Sequence, residues 1–547
     1  METAWPIVAQ YRAPLFTTQS GAEFSLQAGK VHNLRLAVRA VHGVIIPAGA
    51  SWSFWSHVGR PSRRRGFVPG RELREGCVIP AIGGGLCQLS NALHDLALNA
   101  GLEVVERHGH TQRLPDSITI PGRDATVFWN YVDLRLRAPT AWQIEARMEH
   151  GELRVQIRAK QETASPAPSG KTNDRNPGAS TPPQAGHAPE SCDTCGMVRC
   201  FRHAEMEQLR GQRRVAWLVD EWWPEFATWM AMERQKQDWL MVPLNGARWR
   251  TTSYPWSTKG WAKVCEEPLF TLRRSWRSRR LQREGAARQQ ALLNFSAELA
   301  RRYARCLPFD ALHVVVSQTL LPHLWSIGAL AGRTFDVLMQ RPPMGELHRA
   351  LDSAALRHPE SRTIGDFRAS EALVQAEAEA LAAAARLITP HTDLARLAGP
   401  KAHLLAWQTP LAKEPASSVA VSHSNTLIFP AATLARRGCY EVREAARALG
   451  ATVVLGGPVL EAEGFWEGIP TVAAGEKWRE HAGVIVLPAW AGSQPRRLLQ
   501  ALSEGRQVIT TKAAGLGAGD RVTLVPEGDP AALAQAIRQV WVRQSHS

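Results

Sequence analysis

The sequence predicts a multidomain protein in which an α+β domain precedes a larger α/β region of parallel sheets. Three observations predict it. At 547 residues the chain exceeds what one hydrophobic core supports. Residues 161–189 are rich in Pro, Ser, Gly, Thr and Asn and poor in large apolar side chains, so their burial does not offset the entropy of ordering them, and they divide the chain. Beyond them, strand-sized apolar runs at 215–219, 312–316, 335–339, 387–389, 427–429, 452–455, 484–487 and 508–511 alternate with amphipathic helical segments, the pattern of parallel sheets covered on both faces.

The expected order is therefore a domain at 1–160, a disordered linker at 161–190, a cysteine-rich segment at 191–210, and two α/β halves at 211–423 and 424–547. In the first domain, strand-like runs at 44–46 and 126–136 flank a helix expected over 86–100 and stopped by Gly101.

Composition bounds the function. Hydrophobic residues make up 44% and charged residues 21%, as in ordinary globular proteins. No basic segment with an apolar core opens the chain, and the longest apolar runs, such as 484–488, are strand-sized, so the expected address is the cytoplasm. Eight cysteines are too sparse for a disulfide scaffold. Lysine and arginine total 65 against 50 acids, a net charge of +15. Part of the excess lies in two runs, Arg60, Arg63, Arg64, Arg65 and Arg273, Arg274, Arg277, Arg279, Arg280, Arg283. These suit phosphates on a nucleotide or peripheral contact with an anionic membrane surface, or they form a solvated basic face. No zinc-finger, RNA-binding or homeodomain pattern accompanies them, which argues against nucleic acid.

Gly83-Gly84-Gly85-Leu86-Cys87-Gln88-Leu89-Ser90-Asn91 places three glycines before an apolar-periodic helix. A tight turn there delivers Cys87 to a helix N-terminus, where backbone N–H groups and the helix dipole favour thiolate. Candidate partners are His108 and His110 in Glu106-Arg107-His108-Gly109-His110, with Asp124 as the orienting carboxylate, a set suited to nucleophilic acyl chemistry. The plainer alternative is a buried helix cysteine beside histidines that satisfy local backbone groups.

Several blocks resemble the VanW family in order and spacing: Ile46-Pro47-Ala48-Gly49, Ser53-Phe54, Val58-Gly59, Gly66-Phe67, the GGGLCQLSNAL block, ERHGH and DATVFWNYVDLRL, over about residues 30–140. The resemblance implies a cell-envelope association and matches His110 to the second histidine of the family's ERH-x-H pattern, making it the first choice as partner to Cys87.

Cys192, Cys195, Cys200 and His203 lie within twelve residues. A Cys-x-x-Cys turn followed by glycine presents two sulfurs to one metal, and the other two ligands close a tetrahedral zinc site. An iron–sulfur cluster and redox-inert thiols are the alternatives.

Two C-terminal segments, at 427–449 and 484–515, followed by Glu527-Gly528-Asp529-Pro530, resemble retaining GT-B glycosyltransferases, in which two Rossmann-like domains enclose a nucleotide-sugar cleft. The resemblance implies phosphate contacts at Arg437, Gly438 and Ser493. The positions of the family's paired glutamates hold Gly492 and Gln500, and that of its phosphate-binding arginine holds Ala432. One reading is a transferase weakened in sugar orientation; the other is a non-catalytic protein whose domains bind a nucleotide-sugar or glycan as scaffolds.

Overall fold

The computed structural model describes residues 5–16, 24–74, 77–110, 122–160, 214–249, 254–281, 285–410, 425–492 and 494–545. The expected linker, the cysteine-rich segment with Cys192, Cys195, Cys200 and His203, and Ser493 all lie outside these residues. The described chain forms two compact units: residues up to Arg214 together with 307–313 and 330–334, and residues 215–306, 314–329 and 335 onward.

The first unit is α+β. A four-stranded antiparallel sheet runs in the order Ile7–Pro14, Glu152–Ala159, Trp142–Glu149, Ile45–Ile46. Alternation along the two long strands sends Trp142, Ile144, Ala146 and Met148, then Leu153, Val155 and Ile157, to one buried face. Helices Phe24–Val41 and Cys87–Asn99 cover that face through Val31, Leu34 and Val38 and through Leu89, Leu93 and Leu96. Each such side chain contributes about 1.5–3 kcal/mol when removed from water, so the sheet and both helices form one core.

The strand expected over 126–136 does not form as one piece. Thr126 bridges to His108, the chain turns at 128–132 with the Val132 N–H donating to the Phe128 carbonyl at 3.0 Å, and a strand resumes only at Arg135–Arg137. Asn130 and Asp133 punctuate the apolar run. Asp133 accepts from the Ser53 hydroxyl at 2.5 Å and the Trp55 backbone N–H at 3.2 Å, which fixes the turn against helix Phe54–Val58.

The second unit contains two parallel sheets. The first runs Lys263–Glu266, Trp239–Val242, Val215–Leu218, His313–Ser317, Thr334–Leu338, Arg386–Thr389, Ala402–Leu404. The second runs Thr471–Ala473, Thr452–Leu455, Thr426–Phe429, Val484–Leu487, Val508–Thr510, Val522–Leu524. Numbered along the chain, both sheets begin 3-2-1-4-5-6, the doubly wound order of Rossmann-like domains, so the region has the GT-B plan of two such domains. Their central strands are buried on both faces, as Val484–Leu487 shows at every residue.

Candidate functional site

Cys87 is the first residue of helix Cys87–Asn99. The preceding turn depends on Gly84 and Gly85. A Cβ on Gly84 would lie 2.5 Å from the Gly70 carbonyl, and one on Gly85, where φ is +95°, would lie 2.0 Å from the Lys30 side chain. The opposite wall is tied to the same helix. Ser90 Oγ donates to the Ala125 carbonyl at 2.6 Å, and the Ala125 N–H donates to Asn91 Oδ1 at 2.7 Å. These bonds clamp Asp124 beside the cysteine's helix.

Asp124 is buried, with 1% of its side chain exposed. Its Oδ2 accepts from the His110 backbone N–H at 2.7 Å and lies 2.9 Å from His110 Nδ1, while Oδ1 accepts from Arg107 Nη2 at 3.1 Å. The imidazole of His110 lies close enough to the Cys87 thiol to act on its ionisation, and Cys87 Sγ lies 3.9 Å from the Val127 carbonyl oxygen. Burial opposes ionisation of Cys87, yet the hydrogen bond and charge of His110 hold its pKa below the ordinary thiol value. Burial likewise disfavours charged His110, but Cys87 and Asp124 raise its pKa overall. Both shifts favour a thiolate–imidazolium pair oriented by a carboxylate.

Cys87, His110 and Asp124 thus converge. His108 does not join them; its Nε2 pairs with Glu106 at 3.4 Å on the surface. Arg107 stands in the ERHGH block but carries no sequence signal for its role. Ser90 and Asn91, which hold the walls together, are equally silent in the sequence.

The second unit holds a cleft of about 1500 Å³. Its lining follows the carboxyl ends of the first and fourth strands of each sheet: Asp220 and Thr319 in one half, Ala432, Leu434, Arg436 and Gly492 in the other. This is where the strand order reverses and ligands of doubly wound sheets bind. Buried Asp220 pairs with Arg274 Nη1 at 2.6 Å, whereas Arg279, Arg280, Arg288, Arg362 and Arg436 line the cleft with no ion-pair partner among the described residues. Arg436 lies 3.8 Å from the centroid of Phe367, and its Nε is buried without a hydrogen-bond partner there. Burial, then neighbouring Arg437, lowers its pKa.

Arg436, not Arg437, faces the cleft. Residues Ala435–Arg437 form a 3-10 turn, whose three residues per turn aim successive side chains about 120° apart. Arg437 lies near Arg497, and burial followed by that charge lowers its pKa. The turn is fixed because the Ala435 N–H donates to Glu461 Oε1 at 3.0 Å. Gly438 opens helix Cys439–Leu449 at φ +82°, and a Cβ there would lie 2.1 Å from the Pro488 carbonyl oxygen; its role is close packing against the fourth strand. Gly492 lines the cleft. Gln500 instead turns its amide oxygen to Arg479 Nη1 at 2.9 Å.

Several bonds cross between the two halves of this unit, among them His358 Nε2 to Glu441 Oε1 at 2.9 Å and His391 Nε2 to the Ala513 carbonyl oxygen at 3.2 Å. Arg496 makes a bidentate pair with fully buried Glu225, at 2.7 and 2.5 Å, and its guanidinium stacks over Trp223 and Trp407. Among the described residues no helix is long and apolar enough to cross a membrane, and no cluster of three or more metal-ligating side chains occurs.

The family model described as VanW like protein matches residues 29–158, which include Cys87, His110 and Asp124. Residues 29–158 therefore resemble the VanW family. Vancomycin B-type resistance protein VanW of Enterococcus faecalis is 30% identical over 148 residues, 26% of this chain and 54% of that protein. Uncharacterized protein YoaR of Bacillus subtilis is 33% identical over 113 residues, 21% of this chain and 37% of that one. The chain therefore spans about half and about a third of the length of these relatives. Beyond the VanW domain, solved structures with a related arrangement include WaaG, a glycosyltransferase involved in lipopolysaccharide biosynthesis, at 12% identity and TM-score 0.30, covering 61% of this chain and 94% of that one. Another is the calicheamicin glycosyltransferase CalG4, at 10% identity and TM-score 0.28, covering 61% and 94%.

Proposed function

We propose that the protein acts on a cell-envelope glycan, with the VanW domain performing cysteine-dependent acyl transfer or hydrolysis and the cleft holding a phosphate-bearing partner such as a nucleotide-sugar. The convergence of Cys87 with His110, whose Nδ1 lies 2.9 Å from Asp124, carries the first part. Thiolate Sγ attacks an acyl carbon and a C–S bond forms. The C–O or C–N bond to the leaving group then breaks as His110 gives that group its proton. Water or a second acceptor next cleaves the thioester with His110 as base, restoring the thiol. Asp124 keeps the His110 Nδ1 proton turned inward, and Arg107 holds Asp124 in place.

The unpaired arginines and the orphaned Arg436 Nε support an anionic ligand in the cleft. Gly492 on the wall and Gln500 held by Arg479 favour recognition without transfer, because neither supplies a carboxylate to orient a sugar.

The test of the acyl reading is p-nitrophenyl acetate with the full chain. A burst of p-nitrophenol and an acetyl group found on Cys87 support it, with loss in Cys87→Ser and slowing in His110→Ala. Acetylation spread evenly over the other cysteines overturns it.

A further inference from the structure

The geometry points to helix Pro268–Arg280 as an interfacial anchor that seats the second unit on an anionic lipid bilayer, with the mouth of its cleft at the lipid surface. This rests on an apolar stripe, Leu269, Leu272 and Trp276, that does not line the cleft. Leu269, Leu272 and Trp276 are 82%, 53% and 59% exposed. Their spacing of three and then four residues puts them in one stripe. Arg273, Arg277 and Arg280 lie along one side of the stripe and Arg279 along the other, all exposed, and the helix contains no acidic residue. Arg280 stacks over Trp276 at 4.6 Å.

The helix does not expose this stripe because it is loosely held. Its opposite side is buried: Phe270 packs edge-on against Phe295 at 5.7 Å, Thr271 Oγ1 donates to the Pro243 carbonyl at 2.7 Å, and Arg274 pairs with Asp220. A firmly docked helix that still turns two leucines and a tryptophan to solvent, bordered by cations on both sides, has the form that lies in a membrane interface. The apolar stripe enters the acyl boundary, the indole sits at headgroup depth, and Arg277, Arg279 and Arg280 reach back to lipid phosphates, whereas Arg273 is held by Glu298. Charge complementarity selects an anionic bilayer over a neutral one, since each arginine near such a surface strengthens binding about fivefold. Arg279 and Arg280 belong both to this border and to the cleft lining, so docking would bring a lipid-linked phosphate to the same cations.

Vesicle co-sedimentation of the full chain tests it, using phosphatidylcholine alone and phosphatidylcholine mixed with phosphatidylglycerol. Binding to the mixed vesicles alone, weakened by salt, supports the proposal. Leu272→Gln combined with Trp276→Gln should weaken it more than about tenfold, and Arg277→Ala about fivefold, with unchanged melting temperature because these side chains are exposed. Arg436→Ala should bind vesicles normally, so a failure of the cleft reading leaves this result standing. Equal binding to both vesicle types, no binding to either, or conversion of a dimer to monomer by the double variant would overturn it, the last by identifying a second copy as the occupant.

Discussion

Removing the His110 imidazole should quench the reactivity of Cys87, and the structure sets the scale. Burial alone pushes a thiol upward. Cys265, where burial and neighbouring Cys306 act without a histidine, stands at about 11, and burial with the Glu461 and Glu441 charges raises Cys439 well above the ordinary value. Cys87 lies below the ordinary 9.0. Near pH 7 a thiol at 9 is ~1% thiolate and one at 11 only ~0.01%, a ratio of about a hundred in favour of Cys87. The more basic thiolate is the better nucleophile, with a Brønsted slope of ~0.45, which returns a factor of about eight. Cys87 should therefore alkylate at least about tenfold faster than Cys265, and His110→Ala should slow it markedly by removing the largest influence that opposes burial.

The sign with pH follows. The depressed Cys87 value keeps thiolate, and the pair's contribution to stability, above that value and loses both as pH falls through it. The raised His110 value keeps imidazolium below it and loses the pair as pH rises through it. Competitive labelling with iodoacetamide across pH, read peptide by peptide in the mass spectrometer, measures this. Equal rates at Cys87, Cys265 and Cys306, or a His110→Ala rate equal to wild type, would refute the ion pair.

Asp124→Asn should preserve the fold yet lower the labelling plateau of Cys87 near neutral pH, because the amide neither carries the charge that raises His110 nor pairs with Arg107; the pH–rate profile measures it. Gly438→Ala should destabilise the second unit by about 3 kcal/mol or more, from the strained φ and the clash with Pro488, measured by urea unfolding. Arg436→Ala should weaken uridine diphosphate binding at least about tenfold, as expected for a lost charge-assisted contact, and Arg437→Ala much less; calorimetry gives both. Arg496→Ala should cost about 3 kcal/mol, because Glu225 would remain buried and unpaired, seen as a lower melting temperature.

Much of the parallel architecture is legible because its central strands are buried on both faces and read as uninterrupted apolar runs. Thr452–Leu455 and Val484–Leu487 coincide with the expected segments, and Val215–Leu218 nearly does. Edge strands such as Lys263–Glu266 and Val522–Leu524 are half exposed and mixed in composition, so no run announces them. The Cys87 turn is legible because a triple glycine has few other uses. The choice of His110 over His108 followed the family pattern, and the geometry that separates them is the bridge of His108 to Thr126, which holds that residue in a strand pairing while His110 reaches Asp124. In the cleft, a one-residue difference between Arg436 and Arg437 depends on the handed turn of three residues, which spacing alone does not resolve.

The Arg496–Glu225 joint has a mechanical meaning. A carboxylate with no exposed surface, gripped by a guanidinium stacked over two indoles, behaves as a latch between the halves of the second unit. Parting them strands a charge in an apolar setting, so opening is opposed by electrostatics and not merely by lost contact area. The aperture of the cleft is then set before any ligand arrives. Parting the halves would break this ion pair together with the other bonds that cross them, such as His358–Glu441 and His391–Ala513. Arg496 is thus one of the residues that hold the aperture from outside the cleft lining.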